Sequence, residues 1–426
     1  MKYAYKNGYI LDGSAEMTPQ DSLVVLTDGE RIEAVVPEGG DLSGYEVIDL
    51  KGQYLLPGLV NLHVHLPSSG KPKKKETDPV KLVHLMTSNN LLRKVMMGLC
   101  RSFAKTELLS GVTTMRAVGG VENVDSLLRD EINAGKSVGP RILAANMAVS
   151  VPGGHMAGSL AYEAHDPAEA AAYVKKISWD KPDLIKLMIT GGVLDAKVKG
   201  EPGVLKMAPE LVKAACDEAH EMGLTVAAHV ESPEGVRVAL ENGVDTIEHG
   251  AQPDEEIIRL FKERKACHVA TISPALPFAL FDRSVSHATE MSQFNGNVVF
   301  EGIIACAKAC LENGIPVGLG TDTGCPFITH YDMWREVHYF HKYCGVSTAF
   351  ALHTATERNA EILGMGDEIG TIAAGKCADM IVCEKNPLED LSALRKLSMV
   401  VARGKVIRQP RVKKMADVEA ELDKFL

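Results

Sequence analysis

The sequence predicts an α/β fold, a closed parallel (β/α)8 TIM barrel with a small β-sandwich domain formed from both chain ends. Three observations predict it. Eight short, β-branched apolar runs recur between residues 58 and 322. Longer stretches with helical spacing lie between them, and repeated strand–helix alternation builds parallel sheets. Both chain ends lack that alternation and break into short apolar runs at Gly-containing turns. An open doubly wound sheet is the competing architecture, but the Gly-rich phosphate fingerprint it would carry is missing.

The first 55 residues read as all-β. "YAYKNGYILDG" and "SLVVLTDGERIEAVVP" are interrupted by Asn-Gly and Asp-Gly, which are hairpin signals. The eight barrel strands fall at 58–65, 112–118, 141–149, 184–189, 224–230, 244–250, 267–272 and 315–322. Helical spacing ending in Gly marks helices at 208–223 and 233–243. "GTIAAGKCADMIVCEKNPLEDL" and "LSMVVARGKVI" return to β character. The expected domains are 1–56 plus 357–410 for the sandwich, 57–356 for the catalytic barrel, and 411–426 for a C-terminal surface helix. Two connections are long. Residues 67–79 contain the basic run KPKKK, expected as a solvated loop, and 273–300 follow the seventh strand, expected as a loop over the active site.

Composition narrows the function. Of 426 residues, 46% are hydrophobic and 24% charged, as in ordinary globular proteins. A net charge of −10 argues against a nucleic-acid partner, whose binding surface would be basic. The nine scattered cysteines form no C-x-x-C pair and read as free thiols of a reducing, cytoplasmic setting. The N-terminus lacks a continuous apolar signal segment, and no run of 18 apolar residues appears, so no membrane span is expected.

The chemistry lies at the strand ends. In "NLHVHL", His63 and His65 occupy alternate positions of the first strand and so face the same way. Alone, the pair is a weak signal that reads first as two packed, hydrogen-bonded histidines and second as a metal claw. Lys186 sits inside the apolar strand "DLIKLMI". Burying an ammonium is costly, so Lys186 either snorkels or pairs with a carboxylate, or it loses its proton and offers a neutral amine for covalent chemistry. His229, His249 and Asp322 end the fifth, sixth and eighth strands, on the face where barrel enzymes keep their catalytic groups. Imidazole and carboxylate together suit zinc and similar ions. Four histidines and an aspartate exceed the needs of one catalytic zinc. Two divalent ions fit better, given a bridging anion, and a lysine carbamate formed with CO2 would be that anion.

These residues, in their settings, resemble the amidohydrolase superfamily. "PGLVNLHVHL" matches its first-strand signature, except that Asn61 stands where an Asp is usual; "VIDLKGQYLLPGL", "GTIAAGKCADMIVCEKNPLED" and "VVARGKVI" match its ends. "DLIKLMITGGVL", followed by "AAHVES" and "TIEHG", is similar to the branch of Xaa-Pro dipeptidases (prolidases), carboxypeptidase-like dipeptidases and ochratoxin-type amidases. Imidazolonepropionases are more distant relatives. The resemblance implies that His63, His65 and Asp322 hold one ion and His229 and His249 the other, with carboxylated Lys186 bridging. It implies that Asp322 moves the proton between attacking water and leaving amine. It also implies a dipeptide or N-acyl amino acid substrate, no nucleic-acid or membrane partner, and a homo-oligomer.

Three further residues are substrate-binding candidates. His155, in "SVPGGHMAG", is expected to contact the tetrahedral intermediate or to stabilise its loop. Arg116, in "TTMRAVGG", is expected to receive a substrate carboxylate or to form a structural salt bridge; the family's usual Arg-Asp is Arg-Ala here. Glu231 stands where proline-cleaving relatives tend to have Tyr, and is expected to meet a cationic amine or to support His229. His330 and His353 are weaker pocket candidates, and His268 is expected to be structural. The alternative readings are a cyclic-amide hydrolase or a deaminase on the same barrel, or a scaffold that has lost its chemistry. Retention of all six ligand positions argues against the scaffold.

Overall fold

The computed structural model describes residues 1–72 and 78–426. Most of the KPKKK run falls on residues 73–77, outside the described residues.

The central strands fall close to the positions expected from their β-branched runs. Three pair in parallel in the order Leu59–Val64, Val112–Ala117, Arg141–Ala144. A second parallel sheet runs Ala161–Glu163, Ala148–Ser150, Leu184–Met188, Thr225–Val230, Thr246–His249, Cys267–Ala270, Val317–Leu319. The two sheets meet along both edges. Val64 bridges Thr323 in parallel, and the Asp322 amide donates to the His63 carbonyl at 2.8 Å. On the other side the Asp183 amide donates to the Ala144 carbonyl at 2.8 Å. Helices alternate with these strands, among them Pro209–Glu221 and Pro233–Glu241. Each has Pro in its first turn, where the missing N–H costs no helical bond.

Three expectations need correction. The third strand is not continuous over 141–149: it breaks at Ala145–Met147, where Asn146 turns left-handed (φ 61°). Ala148–Ser150 then pairs with Ala161–Glu163, a short strand too polar to signal itself. The stretch 273–300 is mostly helix, not loop: Ile272–Leu280, Arg283–Ser286 and the start of Glu290–Glu312. By length and composition Glu290–Glu312 is apolar enough to span a membrane, although no span was expected. Half of its apolar window is buried, and the helix packs on Ile272–Leu280. The C-terminal helix Ala416–Leu422 is not merely superficial. Val418 and Leu422 are buried, and Glu419 accepts from Arg335 and Arg395.

The chain ends form two further sheets. One has the order Arg31–Pro37, Leu23–Asp28, Lys2–Lys6, Glu46–Asp49; the other Lys405–Arg408, Leu397–Ala402, Met380–Cys383, Tyr54–Pro57, Tyr9–Ile10. A single apolar cluster that includes Tyr5, Val25, Ile32, Leu55, Met380 and Val401 draws on both. Asp28-Gly29 makes the expected hairpin. Asn7-Gly8 does not; it carries the chain from one sheet to the other.

Candidate metal centre

Side chains from four strand ends converge beside one pocket. His63 and His65 stand with ring centroids 5.2 Å apart. His249 lies 5.0 Å from His63 and 4.7 Å from His229, centroid to centroid. Asp322 Oδ1 is 3.1 Å from His65 Nε2 and 3.5 Å from His63 Nε2. Ligand atoms of His63, His249 and Asp322 lie within 4.8 Å of one another, as do those of His229, Glu231 and His249. Backbone conformation helps to aim them. His249 and Asp322 adopt left-handed φ values of 68° and 53°, uncommon for non-glycine residues and concentrated at functional sites.

The other ring nitrogen of each histidine has a partner. His63 Nδ1 bonds Glu248 Oε2 at 2.8 Å, His65 Nδ1 bonds the Gly119 carbonyl at 2.9 Å, and His249 Nδ1 bonds Thr271 Oγ1 at 2.6 Å. Such contacts fix ring orientation and leave Nε2 basic, as metal ligation requires. His229 is tied through Nε2, 3.2 Å from the Gly191 carbonyl, which leaves Nδ1. Burial, reinforced by the Lys186 charge, holds His63 well below the ordinary imidazole value. Burial likewise lowers His229 strongly and takes His249 down to about 3. The rings of His63, His229 and His249 are therefore neutral, the form that binds metal. Burial opposes ionisation of Asp322, but His63, His65 and His249 outweigh it and hold the carboxyl well below the usual carboxylate range.

Lys186 points into this group, fully buried, and its Nζ has no hydrogen-bond partner among the described residues. Burial lowers it to about 8, against the pull of Glu248 and Asp322. A lone buried ammonium is poorly tolerated, and burial favours the neutral amine. The residues present fit a two-ion centre of N/O ligands.

The remaining candidates divide. His155 lines the pocket, stacked on His229 with centroids 4.1 Å apart, and its Nδ1 bonds Asp195 Oδ2 at 2.5 Å. Glu231 also lines the pocket; its Oε2 is buried without a partner, and burial pushes it up to about 8. Arg116 does not line the pocket. It is buried beneath the ligands, donating to Leu62 O, Thr246 Oγ1 and Glu248 Oε1 at 2.7, 3.1 and 2.7 Å. Its place corrects the substrate-carboxylate expectation: the guanidinium is engaged in a structural salt bridge. His330 and His353 are likewise engaged away from the pocket, with Ser68 O and Gly13 O.

Two residues escaped sequence reasoning. Glu248 orients His63 and pairs with Arg116, yet as the neighbour of His249 it should face the opposite way. The left-handed turn at His249 removes that conflict. Asp195, which positions His155 and accepts from the Gly192 amide at 3.0 Å, lies in a loop without periodicity. The pocket itself, about 100 Å³, is walled by Met156, Val193, Leu194, Phe278, Val299 and Ile303.

Several known proteins resemble this chain along most of its length. The chain is 36% identical to a candidate prolidase from Bifidobacterium longum, with a TM-score of 0.88 over 99% of this chain and 98% of that one. It is 30% identical to an Xaa-Pro dipeptidase solved with methionine in its active site, with a TM-score of 0.84 over 96% of this chain and 100% of that one. It is 24% identical to the ochratoxinase of Aspergillus niger over 95% of this chain and 86% of that protein. The amidohydrolase family profile matches residues 54–407, most of the length and every candidate ligand; the chain belongs to that family, whose members here are hydrolases of carbon–nitrogen bonds.

Proposed function

We propose that this chain is a binuclear metal-dependent amidohydrolase that cleaves a dipeptide or an N-acyl amino acid, with its centre at the mouth of a closed (β/α)8 barrel and the two terminal sheets forming a β-sandwich. The observation that carries the proposal is the partnerless Nζ of Lys186 amid four histidines and Asp322. His63, His65 and Asp322 would hold one ion, His229 and His249 the other, and Lys186 as its carbamate would serve both. The donor set favours zinc. Bound divalent ions supply a Lewis acid for the scissile carbonyl and a water acidic enough to lose its proton near neutral pH.

The chain supplies the rest. Asp322, kept ionised by its histidines, accepts the proton of the attacking water and returns it to the leaving amine. His155, braced by Asp195, has Nε2 left for the oxyanion that develops on the substrate. The apolar wall suits an uncharged side chain, and Glu231 offers a partnerless carboxyl to a substrate amine.

A library of dipeptides and N-acyl amino acids, assayed with zinc and bicarbonate beside cyclic imides and aminopurines, tests the reading. Turnover is expected only in the first two classes, with two ions at this centre, and Asp322→Asn should abolish it. One ion at this centre, no bicarbonate dependence, and turnover of an imide or aminopurine would show the alternative chemistry.

A further inference from the structure

His268, Cys306 and Cys310 form a second cluster of metal-binding side chains, outside the pocket. Their ligand atoms lie within 4.8 Å of one another, and all three residues are fully buried. His268 opens the strand Cys267–Ala270, and the two cysteines lie one turn apart on the helix Glu290–Glu312. His268 Nε2 donates to the His249 carbonyl at 2.7 Å. Nδ1 is then the basic nitrogen, and it is buried with no partner among the described residues.

We propose that His268, Cys306 and Cys310 bind one thiophilic divalent d10 cation, zinc by its charge, as a structural site separate from the catalytic centre. Two thiolates and an imidazole are soft ligands of the kind that select zinc or Cu+. On binding, each thiol releases its proton to solvent. Two thiolates and one Zn2+ then sum to zero charge, which an apolar interior tolerates; Cu+ would leave a buried negative charge. Through His268 the ion would also brace the His249 carbonyl, next to the left-handed turn that aims His249.

Protein made with Co2+ in the medium, so that the ion is present as the chain folds, tests the site. Thiolate ligands give a near-ultraviolet charge-transfer band that nitrogen and oxygen ligands do not. The band is expected in the wild type, to persist in Cys325→Ser, whose thiol touches Asp322 in the pocket, and to vanish in Cys310→Ser with the loss of one cobalt per chain. No band in the wild type, or a band lost in Cys325→Ser and kept in Cys310→Ser, overturns the proposal. If Cys310→Ser does not fold, X-ray absorption of wild-type zinc protein decides: sulfur among the zinc neighbours supports the site, and nitrogen and oxygen alone overturn it. Copper in place of zinc, in protein grown with both, overturns the charge argument.

Discussion

At the scale of single residues, Glu248 decides more than its position in the sequence suggests. It accepts from His63 and from Arg116, both buried. In Glu248→Gln the amide can donate to His63 Nδ1, which would place the ring proton on Nε2, the nitrogen needed for the ion. Zinc affinity is expected to fall about 10–100-fold. Leaving Arg116 without its counter-charge should cost about 3–5 kcal/mol. Zinc titration and urea unfolding check both, and an unchanged affinity would remove Glu248 from the centre. Asn61 shows a residue whose departure from the family pattern only the structure explains. Its Nδ2 donates to Thr321 Oγ1 at 2.9 Å, while its Oδ1 accepts from the Thr321 amide at 3.1 Å. An aspartate there could only accept, from the Thr321 amide and hydroxyl, whereas Asn61 leaves the Thr321 hydroxyl proton for another partner. The individual ligands were legible because residue type and strand position limit what they can do. Their partners were not, since hydrogen bonds such as His63–Glu248 and His155–Asp195 span distant parts of the chain.

At the scale of elements, the last strand and the first must approach closely for Asp322 to reach both histidines. Gly320 permits it: a Cβ there would stand 2.5 Å from His63 Cβ and 2.7 Å from His63 N. Gly320→Ala should therefore push the His63 strand outward. The expected cost is about 1–3 kcal/mol of stability from overpacking, together with weakened metal binding. Thermal unfolding with and without zinc measures it; a variant with wild-type stability and metal content would show that the strands can separate without consequence. Most strands were legible from β-branched runs. The break at Ala145–Met147 and the helical 272–300 segment were not, because Pro274 and Pro277 argue locally against a helix that packing on Glu290–Glu312 nevertheless stabilises.

At the scale of the whole molecule, stability depends on pH through carboxyls buried with the core. Asp125 lies in the first turn of Val124–Asn133, where the helix dipole favours charge, yet both its oxygens are buried without partners. Burial prevails and raises it from 3.8 to about 7. The folded state thus holds a proton that the unfolded chain has released. This contribution is fully present below about pH 4 and is lost as pH rises through about 7. Metal-free wild type should lose about 1.4 kcal/mol per pH unit across that window from this group, and Asp125→Asn should remove the slope. Urea unfolding at several pH values tests it; identical slopes in both proteins would refute the assignment. Sequence alone determined the alternation of strands and helices, because local apolar periodicity sets which residues end a strand facing inward; it offered six candidate ligands, whose roles the family resemblance implied. The tertiary structure decided which of those residues meet and what holds them. Arg116 went beneath the centre and Glu248 into it, and His268 was brought to Cys306 and Cys310, because long-range pairing, left-handed turns and burial act between segments that no local pattern connects.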